Sequence, residues 1–390
     1  MRNLAVFCDR VGDAGGAERY WETVLPALAA AGVSVSLFAR EVAGNNGFGV
    51  AARAIAWADE TQAPAAEAAR AVAEVLRDCR PDAIVTASVF DTGVLDAVRA
   101  APARWLARIH DHRPFCPTGD RVYPQFSATC CAPMGRACRA ATVTRGCVRG
   151  PRPSSFREIA ARETVRDRIA RADCVLVSSE YMRATCAANG IDRARVAITP
   201  PPLPDAAFAS AVHAPPEKPT LLFASRPTPR KGLGSLLRAL GRLPPPERPR
   251  LIVAGAAAAD DESSRALAEQ HGIEVDWRGH LGAHELRAAI DAASAVAVPS
   301  LWPEPFGLIG IEAQARGRPA VAYHVGGIPE WIGDAGIAVR RGDEAALAAA
   351  IRAVLDRGAW PRYAAAARRR AEDYHLNAHL SRLLELCNAA

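Results

Sequence analysis

Glu304 and Glu312, with seven residues between them in P-E-P-F-G-L-I-G-I-E-A, are the acids best placed for chemistry. Pro303 and Pro305 flank Glu304 and predict a loop, because a residue before proline is pushed out of the helical region. From Gly307 onward, Leu308, Ile309, Ile311 and Ala313 predict a buried helix that carries Glu312 in its early turns. Burying a carboxylate in such a helix is costly unless it meets a hydrogen-bonding partner. A loop acid and a helix acid could therefore hold the hydroxyls of one polar ligand. The free N–H groups around Phe306 to Ile309 face the same place, and a helix start attracts anions. The plainer alternative is a helix start with one acid near its positive end.

Arg226 follows the apolar run Leu221–Ala224, and Lys231 comes five residues later at a helix start. Pro227 and Pro229 stiffen the turn and could aim both cations at one spot. The alternative is two surface cations, which the helix dipole disfavours there. Gly12 to Gly16 lie between the first strand and first helix, where glycine lets the backbone approach a phosphate or sugar closely. Their setting, V-G-D-A-G-G-A-E-R, is not G-x-G-x-x-G, so the dinucleotide fingerprint fails, and no phosphate loop of the G-x-x-x-x-G-K-S/T type occurs. His110 follows the apolar run Trp105–Ile109 and should project from that strand's end. His112 competes for the role, and a lone histidine is more often structural than catalytic. Cys116, Cys130, Cys131, Cys138 and Cys147 crowd one segment without a repeated C-x2-C spacing. A structural zinc on four of the five and a set of free or partly oxidised thiols are equal alternatives.

These residues need elements to position them. Strand-like apolar runs alternate with amphipathic helical stretches throughout, which predicts βα units and parallel sheets. In the first half the strands are expected at Leu4–Cys8, Val33–Phe38, Ala83–Thr86, Trp105–Ile109, Cys174–Val177 and Val196–Thr199. Helices are expected at Ala17–Ala31, Ala65–Cys79, Phe156–Arg171 and Tyr181–Asn189. The alternation restarts at Thr220–Ala224 and continues at Leu251–Ala254, Val275–Arg278, Ala295–Val298, Ala320–Ala322 and Ile337–Val339. A proline-rich linker, 204–217, would then separate an N-terminal domain, 1–203, from a C-terminal domain, 218–390. The helices Trp360–Tyr374 and Asn377–Cys387 finish the chain, and 111–150 forms a cysteine-rich insert. Every candidate motif falls just after an expected strand, where ligands bind in open α/β sheets.

The glutamate segment resembles the C-terminal domain of retaining glycosyltransferases of the family 4 type. The likeness continues through R-P-A-V-A-Y-H-V-G-G-I-P-E-W-I, L-L-F-A-S-R-P-T-P-R-K-G and D-A-G-G-A-E-R, in the family's order over most of the chain. The resemblance implies an α/β fold of GT-B architecture, two Rossmann-like doubly wound domains facing a central cleft. The N-terminal domain would bind the acceptor and the C-terminal domain a nucleoside-diphosphate sugar, with the last helix packing back toward the first domain. It implies that Arg226 and Lys231 meet the diphosphate and that Gly15 and Gly16 contact the donor phosphate or the acceptor. It gives His110 the transferred sugar, Glu304 the sugar hydroxyls and the cationic transition state, and Glu312 the ribose. The backbone at His280 and Leu281 would line the base, and Phe306, Gly307, Leu308 and Ile309 the donor. The expected reaction transfers a sugar to a hydroxyl acceptor (a glycan, a lipid-linked acceptor or a natural product) with retention and without a catalytic metal, since no Asp-x-Asp pair is present. A nucleotide-sugar epimerase or hydrolase on the same fold, or a silent nucleotide-sugar-binding protein, is the alternative. The family's Asn-Gly turn is replaced here by Pro200-Pro201-Pro202, which puts the hinge geometry in question.

Composition fits this reading. At 390 residues the chain suits two domains, and 50% hydrophobic with 23% charged residues is ordinary for globular proteins. No apolar stretch approaches a membrane span, and the apolar start is too short for a signal peptide, so a cytoplasmic location with reduced thiols is expected. The net charge of +6 gathers between Arg104 and Arg171, with Arg136, Arg139, Arg145, Arg149, Arg152 and Arg157 among its carriers. A solvated face, an anionic acceptor or peripheral contact with an anionic membrane would each explain it. Nucleic acid ranks last, because no aromatic residues interleave for stacking.

Overall fold

The computed structural model describes residues 1–12, 15–42, 49–58, 66–126, 128–148, 150–209, 212, 214–226, 228–255 and 261–389, with Arg152 as backbone alone. Asp13, Ala14, Arg149 and Pro227, which figured in the motifs above, lie outside the described residues. Two units form: Met1–Pro202 with Leu376–Ala390, and Leu203–His375.

The first unit carries a seven-stranded parallel sheet in the order β3-β2-β1-β4-β5-β6-β7. Its strands are β1 Asn3–Val11, β2 Ser34–Val42, β3 Ala52–Ala54, β4 Ala83–Ala87, β5 Arg104–Arg108, β6 Cys174–Val177 and β7 Val196–Ile198. Central strands such as β4 are buried along their whole length, as a parallel sheet covered on both faces requires. One face packs on the helices Ala66–Cys79, Thr92–Ala100, Arg152–Ile169 and Glu180–Ala188 through a core that includes Val72, Leu95, Val165 and Met182. The other face packs on Gly16–Ala30 and Leu376–Asn388, where Trp21, Val24 and Leu28 share a core with Leu380, Leu383 and Cys387. The short strand β3 was not expected, and neither was the helix Arg136–Arg145 inside the cysteine-rich segment.

The second unit carries six parallel strands in the order β10-β9-β8-β11-β12-β13. They are β8 Thr220–Ala224, β9 Arg250–Ala254, β10 Val275–Arg278, β11 Ala295–Val298, β12 Ala320–Tyr323 and β13 Gly336–Val339. Each sheet is doubly wound, and its strand order reverses once: between β1 and β4 in the first, between β8 and β11 in the second. Loops leaving the carboxyl ends of such a strand pair diverge and open a crevice.

The chain changes unit at Pro202–Leu203 rather than within a free spacer. Leu203 N–H donates to the Tyr374 carbonyl at 2.7 Å, and the Phe208 ring stacks on His375 with centroids 4.1 Å apart. Arg368 donates to the Phe208 carbonyl at 2.7 Å. The start of the proline-rich stretch is thereby part of the second unit. Helix Leu376–Asn388 leaves that unit because its apolar face completes the core against helix Gly16–Ala30.

Candidate active site

In the second unit, the loops after β8 and β11 meet backbone to backbone. Leu301 N–H donates to the Arg230 carbonyl at 2.8 Å. Gly232 has φ +78°, and a Cβ there would stand 1.9 Å from the Pro299 carbonyl oxygen, so the close approach needs glycine. This contact brings Lys231, on the turn Pro229–Lys231, to Glu304: Nζ lies 2.6 Å from Oε1. Ser300 Oγ donates to the same Oε1 at 2.5 Å. The Lys231 ammonium also sits 5.2 Å from the centre of the Trp302 ring, a cation–π distance. Burial pushes the Glu304 carboxyl up, but the charge of Lys231 and hydrogen bonds from Lys231, Ser300 and Trp302 outweigh it and hold the group below its ordinary value. Glu304 is therefore an anion at neutral pH while only 6% exposed.

A third loop, after β12, braces that acid. Gly326 has φ +57°, and a Cβ there would lie 2.0 Å from the Glu304 carbonyl oxygen. Gly327 N–H donates to the same carbonyl at 2.8 Å. Beyond Glu304, Gly307 turns the chain at φ +102° into the helix Leu308–Gln314, on which Glu312 is half-buried. Trp331 Nε1–H donates to the Phe306 carbonyl at 2.6 Å, and its ring fills the space that a side chain at Gly310 would occupy, 2.3 Å away. Arg226 is exposed at the end of β8, and no hydrogen bond or ion pair fixes its side chain among the described residues. Gly255 packs against Ser225 and Arg226 backbone and donates to the Gly279 carbonyl at 3.0 Å, joining that loop to the one bearing exposed His280 and half-buried Leu281. The structure thus unites Lys231 with Glu304. It shows no contact between Glu304 and Glu312.

In the first unit, Gly15 caps helix Gly16–Ala30 in an extended conformation, φ −157°, which any residue adopts. A Cβ on Gly15 would meet only the flexible Glu18 carboxylate at 3.3 Å. His110 lies just past β5, with its ring edge-on to Tyr20 at 5.5 Å and Trp21 at 6.5 Å. Part of the residue is accessible, yet Nε2 is sealed from solvent without a hydrogen-bond partner among the described residues. Burial, then the charges of Arg108 and Arg113, drive its pKa well below the ordinary value, so the imidazole is neutral. His112 is fully buried edge-on against Tyr181. Of the two histidines, His110 alone keeps accessible surface.

Sequence reasoning missed what lies beneath His110. The Arg108 guanidinium lies 3.7 Å above the Tyr20 ring and donates to Thr199 Oγ1 at 2.8 Å. Tyr20 OH bonds His379 Nε2 at 2.8 Å, which ties helix Leu376–Asn388 to helix Gly16–Ala30. Burial, then Arg108, lowers the His379 pKa to about 3 against a bond to the Pro200 carbonyl. The folded value lies below the unfolded one of ~6.5, so the stability from neutral His379 is complete above ~6.5 and is lost as pH falls toward the folded value. Between pH 7.5 and 5 the loss should be ~2 kcal/mol. Urea denaturation at both pH values should show it, and His379→Gln should shrink the difference; an unchanged difference would remove His379 as its source.

The cysteine-rich segment carries Cys116, Cys130, Cys131, Cys138 and Cys147. All five thiols are free, and no group of three or more His, Cys, Asp or Glu among the described residues could hold a metal. Other bonds hold the segment. Arg121 donates from its side chain to the Cys130 carbonyl at 3.2 Å and from its backbone to Cys116 Sγ at 3.4 Å. Arg139 pairs with Glu163, Met134 N–H donates to Asn189 Oδ1 at 2.8 Å, and Arg145 lies 4.1 Å over Tyr123. The Cys147 thiol is pushed up to about 11 by burial and then by Cys116, Cys130 and Cys138, while Cys131 is exposed. No helix among the described residues is long and apolar enough to cross a membrane.

Two doubly wound parallel domains with candidate residues at the strand ends define the class: the GT-B architecture. Sucrose-phosphate synthase from Thermosynechococcus elongatus superposes with TM-score 0.73, covering 99% of this chain and 98% of that one at 21% identity. HepE from Anabaena, solved with UDP-glucose, gives 0.71 over 98% of each chain at 17% identity. The model of the glycosyl transferase 4-like domain matches residues 15–202, and that of glycosyl transferases group 1 matches residues 206–373. The chain belongs to this family of group 1 glycosyltransferases. Glycogen synthase of Mycobacterium tuberculosis is 36% identical over 155 residues, 38% of this chain and 37% of that protein. D-inositol 3-phosphate glycosyltransferase of Xylanimonas cellulosilytica is 39% identical over 182 residues, 44% of this chain and 43% of that one. The chain thus spans about two fifths of the length of these curated relatives.

Proposed function

We propose that this protein is a glycosyltransferase that moves a sugar from a nucleoside-diphosphate sugar to a hydroxyl acceptor, with retention and without a catalytic metal. The observation that carries the reading is the pairing of Lys231 with buried Glu304, on the loops from the two strands that flank the reversal in the second sheet. A diphosphate leaving group gathers negative charge as the glycosidic bond breaks. Lys231 and exposed Arg226 supply positive charge on one loop, and fixed charge aimed at developing charge is the strongest electrostatic aid to catalysis. Glu304, kept anionic, orients the sugar hydroxyls and stabilises the cationic sugar. Glu312 takes the ribose, the backbone at His280 and Leu281 lines the base, and the turn Phe306–Ile309 cradles the donor.

Neutral His110, which keeps accessible surface, suits the transferred sugar as an uncharged hydrogen-bonding group. Gly15 leaves space at a helix start for a phosphate or the acceptor. The acceptor hydroxyl approaches the face that the diphosphate leaves, and the leaving phosphate takes its proton. No carboxylate pair flanking the scissile bond is then needed. HepE binds UDP-glucose, and the relatives named above act on sugars, which supports a nucleotide-sugar donor here.

A thermal-shift panel with uridine, guanosine and adenosine diphosphates and their common sugars, without added metal, tests this reading. One nucleotide series should raise the melting temperature by mass action. No shift across the panel would overturn the donor assignment.

A further inference from the structure

Lys231 and Glu304 carry opposite charges that the proposed reaction needs in two places at once, on the diphosphate and on the sugar hydroxyls. Here they neutralise each other at 2.6 Å, with Glu304 6% exposed. We propose that Glu304 is a built-in competitor for Lys231, and that donor binding exchanges its carboxylate for the diphosphate on that ammonium while Ser300 keeps Glu304 in place. The inference rests on the donor reading above and adds a regulation of that same site.

Three observations support the exchange. The pair is partly desolvated, with side-chain exposures of 22% and 7%, so the attraction is little screened. Ser300 Oγ holds the same Oε1 as Lys231, so the carboxylate keeps a donor when the ammonium turns away. The Trp302 ring lies 5.2 Å from Nζ and 5.0 Å from the Arg230 guanidinium carbon, an aromatic face along which a cation can move without losing all attraction. A diphosphate arriving beside an unexchanged Glu304 would set like charges together, which disfavours binding until the lysine switches partner. Donor affinity is then set by a difference: what the diphosphate offers Lys231 less what Glu304 already offers it. The bases of the exchange lie within one unit, on loops fixed to each other by the Leu301–Arg230 hydrogen bond.

The test is calorimetric binding of UDP and GDP, without sugar, to the full chain and its variants. Glu304→Gln should bind the preferred nucleotide about tenfold more tightly, within the range that coupled neighbours show, although transfer is lost. In a Lys231→Met background the same change should give no gain, because nothing remains to compete for. Ser300→Ala should bind the nucleotide several-fold more weakly, since Glu304 then has only Lys231 and Trp302 as donors and holds the ammonium more firmly. Binding to the wild type with equal or weaker binding to Glu304→Gln would overturn the competition and leave the donor reading standing. A gain that persists in the Lys231→Met background would assign it to charge repulsion and also overturn the exchange. An unchanged constant in Ser300→Ala would remove Ser300 from the device. Nucleotide binding to none of these proteins would overturn the donor reading, and this inference with it.

Discussion

Lys231→Ala is expected to lower kcat/KM for sugar transfer by on the order of 10² to 10³, the effect of removing one aimed charge from a departing oxyanion. Because Lys231 also pairs with buried Glu304, the variant should lose stability as well. Removing one partner of a buried pair leaves an uncompensated charge and costs about 3 to 5 kcal/mol at the buried limit. The 22% exposure of Lys231 places the expected loss at the low end, with Glu304 taking up a proton more readily. The two effects separate in the double variant Lys231→Ala/Glu304→Gln. Stability should recover there, measured by urea denaturation, while transfer stays at or below the level of the single variant. Full transfer in Lys231→Ala would refute the phosphate role of this lysine.

Gly326→Ala should be among the most damaging single methyl groups in the second unit. The added Cβ would stand 2.0 Å from the Glu304 carbonyl oxygen and 2.6 Å from its backbone nitrogen, at φ +57°. The left-handed backbone costs roughly 1 to 2 kcal/mol for a residue with a side chain. Overpacking against rigid backbone adds about 1 to 3 kcal/mol. The strain is relieved by moving Glu304, so transfer should fall together with stability. Gly342→Ala is the control, since Gly342 has φ +76° but nothing within 4 Å of its added Cβ. It should show the conformational cost alone and keep its activity. Equal effects at the two glycines would mean that contact with Glu304 is unimportant.

The fold was legible wherever burial leaves a continuous apolar run. β4, β8, β11 and β12 were expected within a residue of their ends, because strands covered on both faces admit little polarity. β3 is three residues at an edge with the sequence Ala-Arg-Ala, which has no such signature. Helix Arg136–Arg145 buries only Thr142, so its sequence lacks the periodic stripe that reveals a packed helix. The site was legible in its residue types but not in its partnerships. Lys231 and Glu304 are 73 positions apart and meet only because β11 is laid beside β8. Trp302 meets Lys231 by that same adjacency, whereas Ser300 meets Glu304 four positions along its own loop. Tyr20, Arg108 and His379 were hidden for the same reason: their contacts join two helices and a strand distant in sequence.

The connectivity of the two units has a consequence for biosynthesis. A ribosome completes the second unit, Leu203–His375, as one uninterrupted stretch. The first unit cannot close until residues 376–388 have emerged, because Leu380, Leu383 and Cys387 cover Trp21, Val24 and Leu28. Domains ordinarily fold in the order in which they are synthesised. Here the earlier-made unit is the later to finish, and it carries an uncovered apolar helix face throughout the translation of its neighbour. Nascent-chain proteolysis should therefore find the second unit resistant first, with Gly16–Ala30 protected only after helix Leu376–Asn388 leaves the exit tunnel.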